Sequence, residues 1–125
     1  IRLYPPADGH TYLGWACSFV GRFNEPIAQC EIAIQLDPEF GNPYNDIGVY
    51  LMQQQRFDDA IPWLEQAKSA RRYEPRHFPF INLGRIYLTK GMIQKALDEF
   101  GGALKINPDD GELTQLVEEL NTKLQ

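Results

Sequence analysis

The sequence predicts an all-α chain of three similar antiparallel helix pairs closed by one further helix. Three observations carry that prediction. A glycine recurs at positions 14, 48 and 84, spaced 34 and 36 residues apart, and an internal period of that length marks a repeat architecture. Around it, apolar residues fall at helical spacing, as Tyr44, Ile47 and Leu51 do at i, i+3 and i+7. Proline then punctuates the pattern, in Asp37-Pro38, Asn42-Pro43 and Asn107-Pro108.

The elements follow in order. Residues 1–6, Ile1-Arg2-Leu3-Tyr4-Pro5-Pro6, read as the tail of a preceding helix. Because the chain opens on Ile1 rather than Met, a lost leader or a longer parent with an earlier repeat is expected. Residues 7–40 form the first unit, 41–76 the second, 77–110 the third, and 111–125 a last helix. Within each unit the first helix holds the glycine, and Gly21, Gln55 and Gly91 mark the turn. The second helix starts at a capping residue, Asn24 or Asp58, and runs through Ala60, Leu64 and Ala67 in the second unit. Asp37-Pro38 and Asn107-Pro108 stop it, and Asn42-Pro43 restarts the chain with a cap and a first-turn proline. Gly14, Gly48 and Gly84 are expected to face Ala60, Ala96 and their equivalent, so that two backbones come close. A helix-interior glycine costs about 1 kcal/mol against alanine, and three in one register require packing to offset that. The second unit lacks the terminal Asp-Pro and runs Ala67-Lys68-Ser69-Ala70-Arg71-Arg72-Tyr73-Glu74-Pro75, which predicts a longer second helix there.

Asp109-Asp110 caps the last helix. Its residues Leu113, Leu116, Val117, Leu120 and Leu124 form one apolar stripe, and Glu112, Gln115, Glu118, Glu119 and Lys123 face away. Such a helix closes the exposed end of a stacked array. The same stripe could alternatively serve a partner.

Composition narrows the function. The 125 residues are 43 % hydrophobic and 23 % charged, an ordinary globular balance. The net charge is −5, distributed as −3, 0, 0 and −2 over residues 1–40, 41–76, 77–110 and 111–125. No segment is basic enough to track a phosphate backbone, so nucleic acid is not an expected partner. No run approaches the roughly 18 apolar residues of a membrane span, so a soluble, cytoplasmic chain is expected. No activated nucleophile, metal triad, phosphate loop or spaced carboxylate pair occurs. The chain is therefore expected to be neither an enzyme nor a cofactor carrier.

The recurring pattern is Leu-Gly, an aromatic or leucine three residues on, Gly-x-aromatic, Ala-Ile, Ala and Asp-Pro. It resembles the tetratricopeptide repeat over about residues 7–110. Pro26 replaces the usual alanine, but in a first turn, where proline is tolerated. Cys17 and Cys30 replace larger core residues. The resemblance implies a right-handed superhelical solenoid whose concave groove, lined by the first helix of each pair, holds an extended peptide or a helix. The groove set it implies is Thr11, Trp15, Phe19, Asn45, Val49, Gln53, Ile81, Asn82 and Arg85. One subgroup of the family grips the C-terminal carboxylate of chaperones with Lys, Asn and Arg. Here those positions hold Thr11, Trp15, Asp46, Phe78 and Asn82, without the cations and with a repelling Asp46. At roughly 1.5–3 kcal/mol for each charged hydrogen bond, most of that grip is lost.

In its place stand apolar Trp15, Phe19, Val49 and Ile81, the amides of Asn45, Gln53 and Asn82, and the charge of Arg85. Burying a Trp or Ile side chain contributes roughly 1.5–3 kcal/mol, enough for micromolar binding with two or three anchors. Trp15 and Phe19 have a second reading, packing against an upstream repeat or the next helix. Gly101-Gly102, on positions normally facing outward, read either as a locally weak helix or as a surface for close approach of a second copy. Arg71, Arg72 and Arg76 read as a solvated helix end, Cys17 and Cys30 as buried thiols, and His10 and His77 as surface or capping residues. The function expected is an adaptor for a protein or peptide ligand. Self-association into a structural module, or service as a regulatory segment of a larger protein, is the rival.

Overall fold

A computed structural model describes residues 24–124, and among them the chain is entirely helical apart from turns and one isolated bridge. The helices are α1 (Asn24–Leu36), α2 (Asn42–Gln53), α3 (Phe57–Ser69), α4 (His77–Thr89), α5 (Ile93–Ile106) and α6 (Gly111–Lys123). The chain divides into two compact units, one ending at Glu74 and the other beginning at Pro75. The expectations for residues 1–6 and for His10, Thr11, Gly14, Trp15, Cys17, Phe19 and Gly21 lie outside the described residues.

Helix boundaries follow the proline punctuation. α1 stops at Leu36 before Asp37-Pro38, and α5 stops at Ile106 before Asn107-Pro108. Pro26, Pro43 and Pro79 are buried within first turns, where their missing N–H groups have no intrahelical partner to lose. The expected caps are corrected. Gly41 occupies the cap position of α2, so Asn42 already belongs to the helix, and its side chain does not cap. Arg56 holds that position in α3, and Asp58 lies inside the first turn. There its charge complements the positive end of the helix. The expected cap at Asn24 lies at the edge of the described residues. Asp110 does cap α6, its carboxylate accepting from the Leu113 N–H at 3.0 Å.

The turns at Gln55 and Gly91 share one geometry. Gly91 has φ +76° and closes α4 with the N–H groups of Gly91 and Met92 donating to the carbonyls of Leu88 and Tyr87. Gln55, at φ +61°, closes α2 with the same pair of bonds, from Gln55 to Met52 and from Arg56 to Leu51. This is the helix end that favours glycine, because an L side chain in the left-handed region is strained. Gln55→Gly is therefore expected to stabilise the chain by about 0.5–1 kcal/mol after the entropic cost of glycine, measured by urea denaturation. A destabilised variant would show that Gln55 makes a compensating contact.

Short turns bring α2 onto α3 and α4 onto α5. The glycines permit this, but they face one helical turn beyond the expected alanines. A Cβ on Gly48 would lie 2.5 Å from the Leu64 side chain, and one on Gly84 would lie 2.3 Å from the Phe100 ring. Ala60 and Ala96 are fully buried, but the atoms nearest the glycines belong to Leu64 and Phe100. Gly102 is also corrected: the Phe80 ring stands 2.7 Å from where its Cβ would be, so its outward space is taken. Gly101 opens onto free space.

The expected lengthening of the second unit's last helix does not occur. α3 ends at Ser69, and Ala70 turns extended with ψ 142°. The extra residues instead lie along the α1–α2 turn and form a parallel bridge between Phe40 and Arg72. The N–H of Gly41 donates to the Arg72 carbonyl at 2.8 Å, and the Arg72 N–H to the Glu39 carbonyl at 2.9 Å. Tyr73 is buried over Gly41, where a Cβ would meet the tyrosine at 2.7 Å. This segment accounts for the basic cluster differently from a solvated helix end. Arg72 bonds Asp37, holding that carboxyl below its usual range, and Arg71 lies 3.7 Å from Glu39. Tyr44 completes the junction by donating to the Pro38 carbonyl at 2.8 Å and packing near Trp63.

In the compact unit that begins at Pro75, Phe100, Ala96 and Ala103 of α5 join Leu113 and Leu120 of α6 in one core. Leu116 and Val117 pack at its edge, and Leu124 stays 48 % exposed beyond it. The stripe of α6 thus covers α5, as a closing helix does. No described helix is long and apolar enough to cross a membrane.

Candidate functional site

On α2 the residues Asn45, Val49 and Gln53 succeed one another at four-residue intervals and so share a face. Asn45 is only 7 % exposed, Val49 is half-buried and Gln53 is exposed. Asn82 on α4 is 9 % exposed. Both asparagines are thus buried, and each has a partner.

Asp46 stands two residues before Gly48, as Asn82 stands two before Gly84. Burial pushes its carboxyl up to about 7. Near neutral pH it is only partly ionised, which weakens the repulsion the sequence suggested. The Cys30 thiol of α1 is buried and pushed far up by that burial, then by the charges of Asp46 and Glu31. It stays protonated and is a packing group, not a nucleophile. Among the described residues no group of three or more His, Cys, Asp or Glu side chains gathers to hold a metal.

Ile81 and Arg85 are brought together with residues distant in sequence. One turn apart on α4, they form one wall of a cleft of about 140 Å³. Phe100 of α5 lies at its base, and Leu113 and Leu116 of α6 stand opposite. Asp110 and Glu112, at the start of α6, complete the rim. The Asp110 carboxylate is already engaged by the Leu113 N–H, whereas Glu112 is exposed in the first turn. Arg85 is exposed as well. The cleft thus has an apolar interior and a rim with a cation on α4 and carboxylates at the head of α6. It can take an apolar side chain from an otherwise solvated ligand. It contains no nucleophile set beside a base.

Sequence reasoning found Ile81 and Arg85 but missed Phe100, Glu112, Leu113 and Leu116 as walls of the same cleft. The i, i+3 spacing of Leu113 and Leu116 was visible, but as part of a core stripe. Which of those leucines borders open space depends on how α6 lies over α5.

The comparisons with known proteins agree with this architecture. No curated protein sequence matches the chain. Among solved structures it is similar to the N-terminal domain of stress-induced protein-1 from C. elegans, with TM-score 0.83 and 22 % identity over 92 % of this chain and 94 % of that one. It is similar to PilF of Pseudomonas aeruginosa, with TM-score 0.85 and 23 % identity over 94 % of this chain but only 53 % of that one. The first tetratricopeptide domain of Spaghetti (RPAP3), bound to the HSP90 peptide SRMEEVD, matches with TM-score 0.82 and 15 % identity over 94 % of each chain. At such identities the likeness is one of fold. The tetratricopeptide-repeat family model matches residues 42–73 and 80–110, together half of the sequence. The repeated helix pairs, the glycines that seat them and this match make the chain a member of the tetratricopeptide-repeat family.

Proposed function

We propose that the chain is a protein-interaction scaffold that holds a peptide or helix of a partner protein against the first helices of its repeats. The cleft beside Ile81 and Arg85 carries this reading, because there the first helix of a repeat borders an apolar space that no side chain of its own unit fills. The adaptor use of the family's fold supports it, as does the peptide held by the RPAP3 domain. The ligand is not a chaperone carboxylate tail in this reading, since Thr11, Trp15, Asp46, Phe78 and Asn82 supply no cation for one. The proposed groove set comprises Thr11, Trp15, Phe19, Asn45, Val49, Gln53, Ile81, Asn82 and Arg85.

The test is a peptide-display selection on the folded wild-type chain, followed by affinity measurements on Val49→Ser, Gln53→Ala, Ile81→Ser and Arg85→Glu. Loss of a buried aliphatic anchor contact is expected to weaken the selected peptides about tenfold. Selected peptides that bind all four variants as tightly as wild type would sink the groove reading. Circular dichroism establishes that each variant is folded.

A further inference from the structure

We infer that the cleft between α4 and α6 takes a single leucine-sized side chain of a peptide that carries a carboxylate on one side of that anchor and a cation on the other. This inference rests on the peptide-binding reading and specifies its ligand.

The volume sets the anchor. A cavity of about 150 Å³ lined by Leu, Ile and Phe accommodates benzene, and this cleft measures about 140 Å³ with Ile81, Leu113 and Leu116 on its walls. It suits one leucine or one ring, and it is too small for two side chains. The rim sets the flanks. Arg85 stands on the α4 wall, and no ion pair among the described residues engages its guanidinium. Glu112 stands across the cleft at the head of α6, equally without an ion pair among the described residues. Asp110 adds charge on the same side while its carboxylate caps the helix. A ligand acidic on both sides meets Glu112 and Asp110, and one basic on both sides meets Arg85. Only a ligand of mixed sign is complementary at both walls, so the rim selects by repulsion as well as attraction.

The experiment uses short blocked peptides with a central leucine and flanks Glu/Lys, Lys/Glu, Glu/Glu, Lys/Lys or Ala/Ala, plus an Ala-centred control. Binding is read by amide chemical shifts of the ¹⁵N-labelled chain, for wild type, Arg85→Gln and Glu112→Gln. Both substitutions are at exposed positions and leave the core untouched. Mixed-charge peptides are expected to shift the amides around Ile81, Leu113 and Leu116 and to bind about tenfold more tightly than the Ala-centred control. Replacing the acidic flank should cost about threefold with wild type and nothing with Arg85→Gln. Replacing the basic flank should cost about threefold with wild type and nothing with Glu112→Gln, as coupled exposed ion pairs require. Binding at the cleft without regard to flank charge overturns the inference and leaves the scaffold reading intact. Shifts confined to the Asn45–Gln53 face do the same. If no peptide of the panel binds, the inference fails, and the display selection still decides the broader reading.

Discussion

Phe100→Ala is expected to destabilise the unit beginning at Pro75 by about 3–5 kcal/mol, the range for emptying a buried aromatic site. Phe100 is fully buried, and it joins α4 to α6: its ring abuts Gly84 on one side, and its core includes Leu113 and Leu120 on the other. Hydrogen exchange of the α4–α6 amides, read beside urea denaturation, would locate the loss. A midpoint unchanged from wild type would mean that the ring does not organise this core. The glycine beneath it gives a sharper comparison. Gly84→Ala places a Cβ 2.3 Å from the Phe100 ring, and overpacking of that kind costs about 1–3 kcal/mol. Gly101→Ala is the same chemical change in a helix with nothing within 4 Å of the new atom. It should stabilise the chain by about 1 kcal/mol through helix propensity alone. Combining Gly84→Ala with Phe100→Leu should cost less than the two single changes added, since the smaller side chain makes room for the methyl. Strict additivity would mean that the two residues do not share the contact.

Asp46 supplies the second large effect, and its sign depends on pH. Its carboxyl titrates near 7 in the folded chain against an ordinary value of 3.8, because burial disfavours the charged form. A folded state that holds the proton more tightly than the unfolded chain is relatively favoured in acid. It loses stability as the pH rises above about 3.8, and the loss is complete once the pH exceeds about 7. At 1.36 kcal/mol for each tenfold change in proton affinity, full ionisation costs up to about 4 kcal/mol, which partial solvent access to the side chain reduces to about 2–3 kcal/mol. Asp46→Asn is therefore expected to raise stability by that amount at pH 8 and to leave it unchanged at pH 4, followed by urea denaturation across this range. Asn82 at the matching position of the next repeat shows that an amide fits the site. Equal stability of variant and wild type at pH 8 would place the Asp46 carboxylate in contact with water.

How much of this was legible in the sequence differs from element to element. The period, the helix ends before Pro38 and Pro108 and the capping helix could be read directly, because they depend on local chemistry: Asp37-Pro38 and Asn107-Pro108 disfavour a continuing helix, and Asp110 caps the helix that follows it. The identity of each glycine's neighbour could not be read. Spacing shows that Gly84 faces the second helix of its pair but not whether Ala96 or Phe100 fills the gap, since the two lie one turn, about 5.4 Å, apart on the same face and the axial register of the helices decides between them. The residues 70–74 were misread for a related reason. Their composition permits a helix, and what favours the extended path is the bridge to Phe40 and the pairing of Arg71 and Arg72 with Glu39 and Asp37, residues more than thirty positions away.

The candidate site divides in the same way. Ile81 and Arg85 belong to the exposed face of an amphipathic helix, and four-residue spacing suffices to place them side by side. The burial of Asn45 and Asn82 is a property of their neighbours, which periodicity does not report. The sequence by itself determined a repeated helix pair with a capping helix, because turn chemistry, capping and apolar period act within a few residues. Only the tertiary structure decided that Phe100, Leu113, Leu116 and Glu112 meet Ile81 and Arg85 around one cleft. Its shape and the sign of charge on each wall arise from packing among three helices, where no single stretch of chain holds the whole contact.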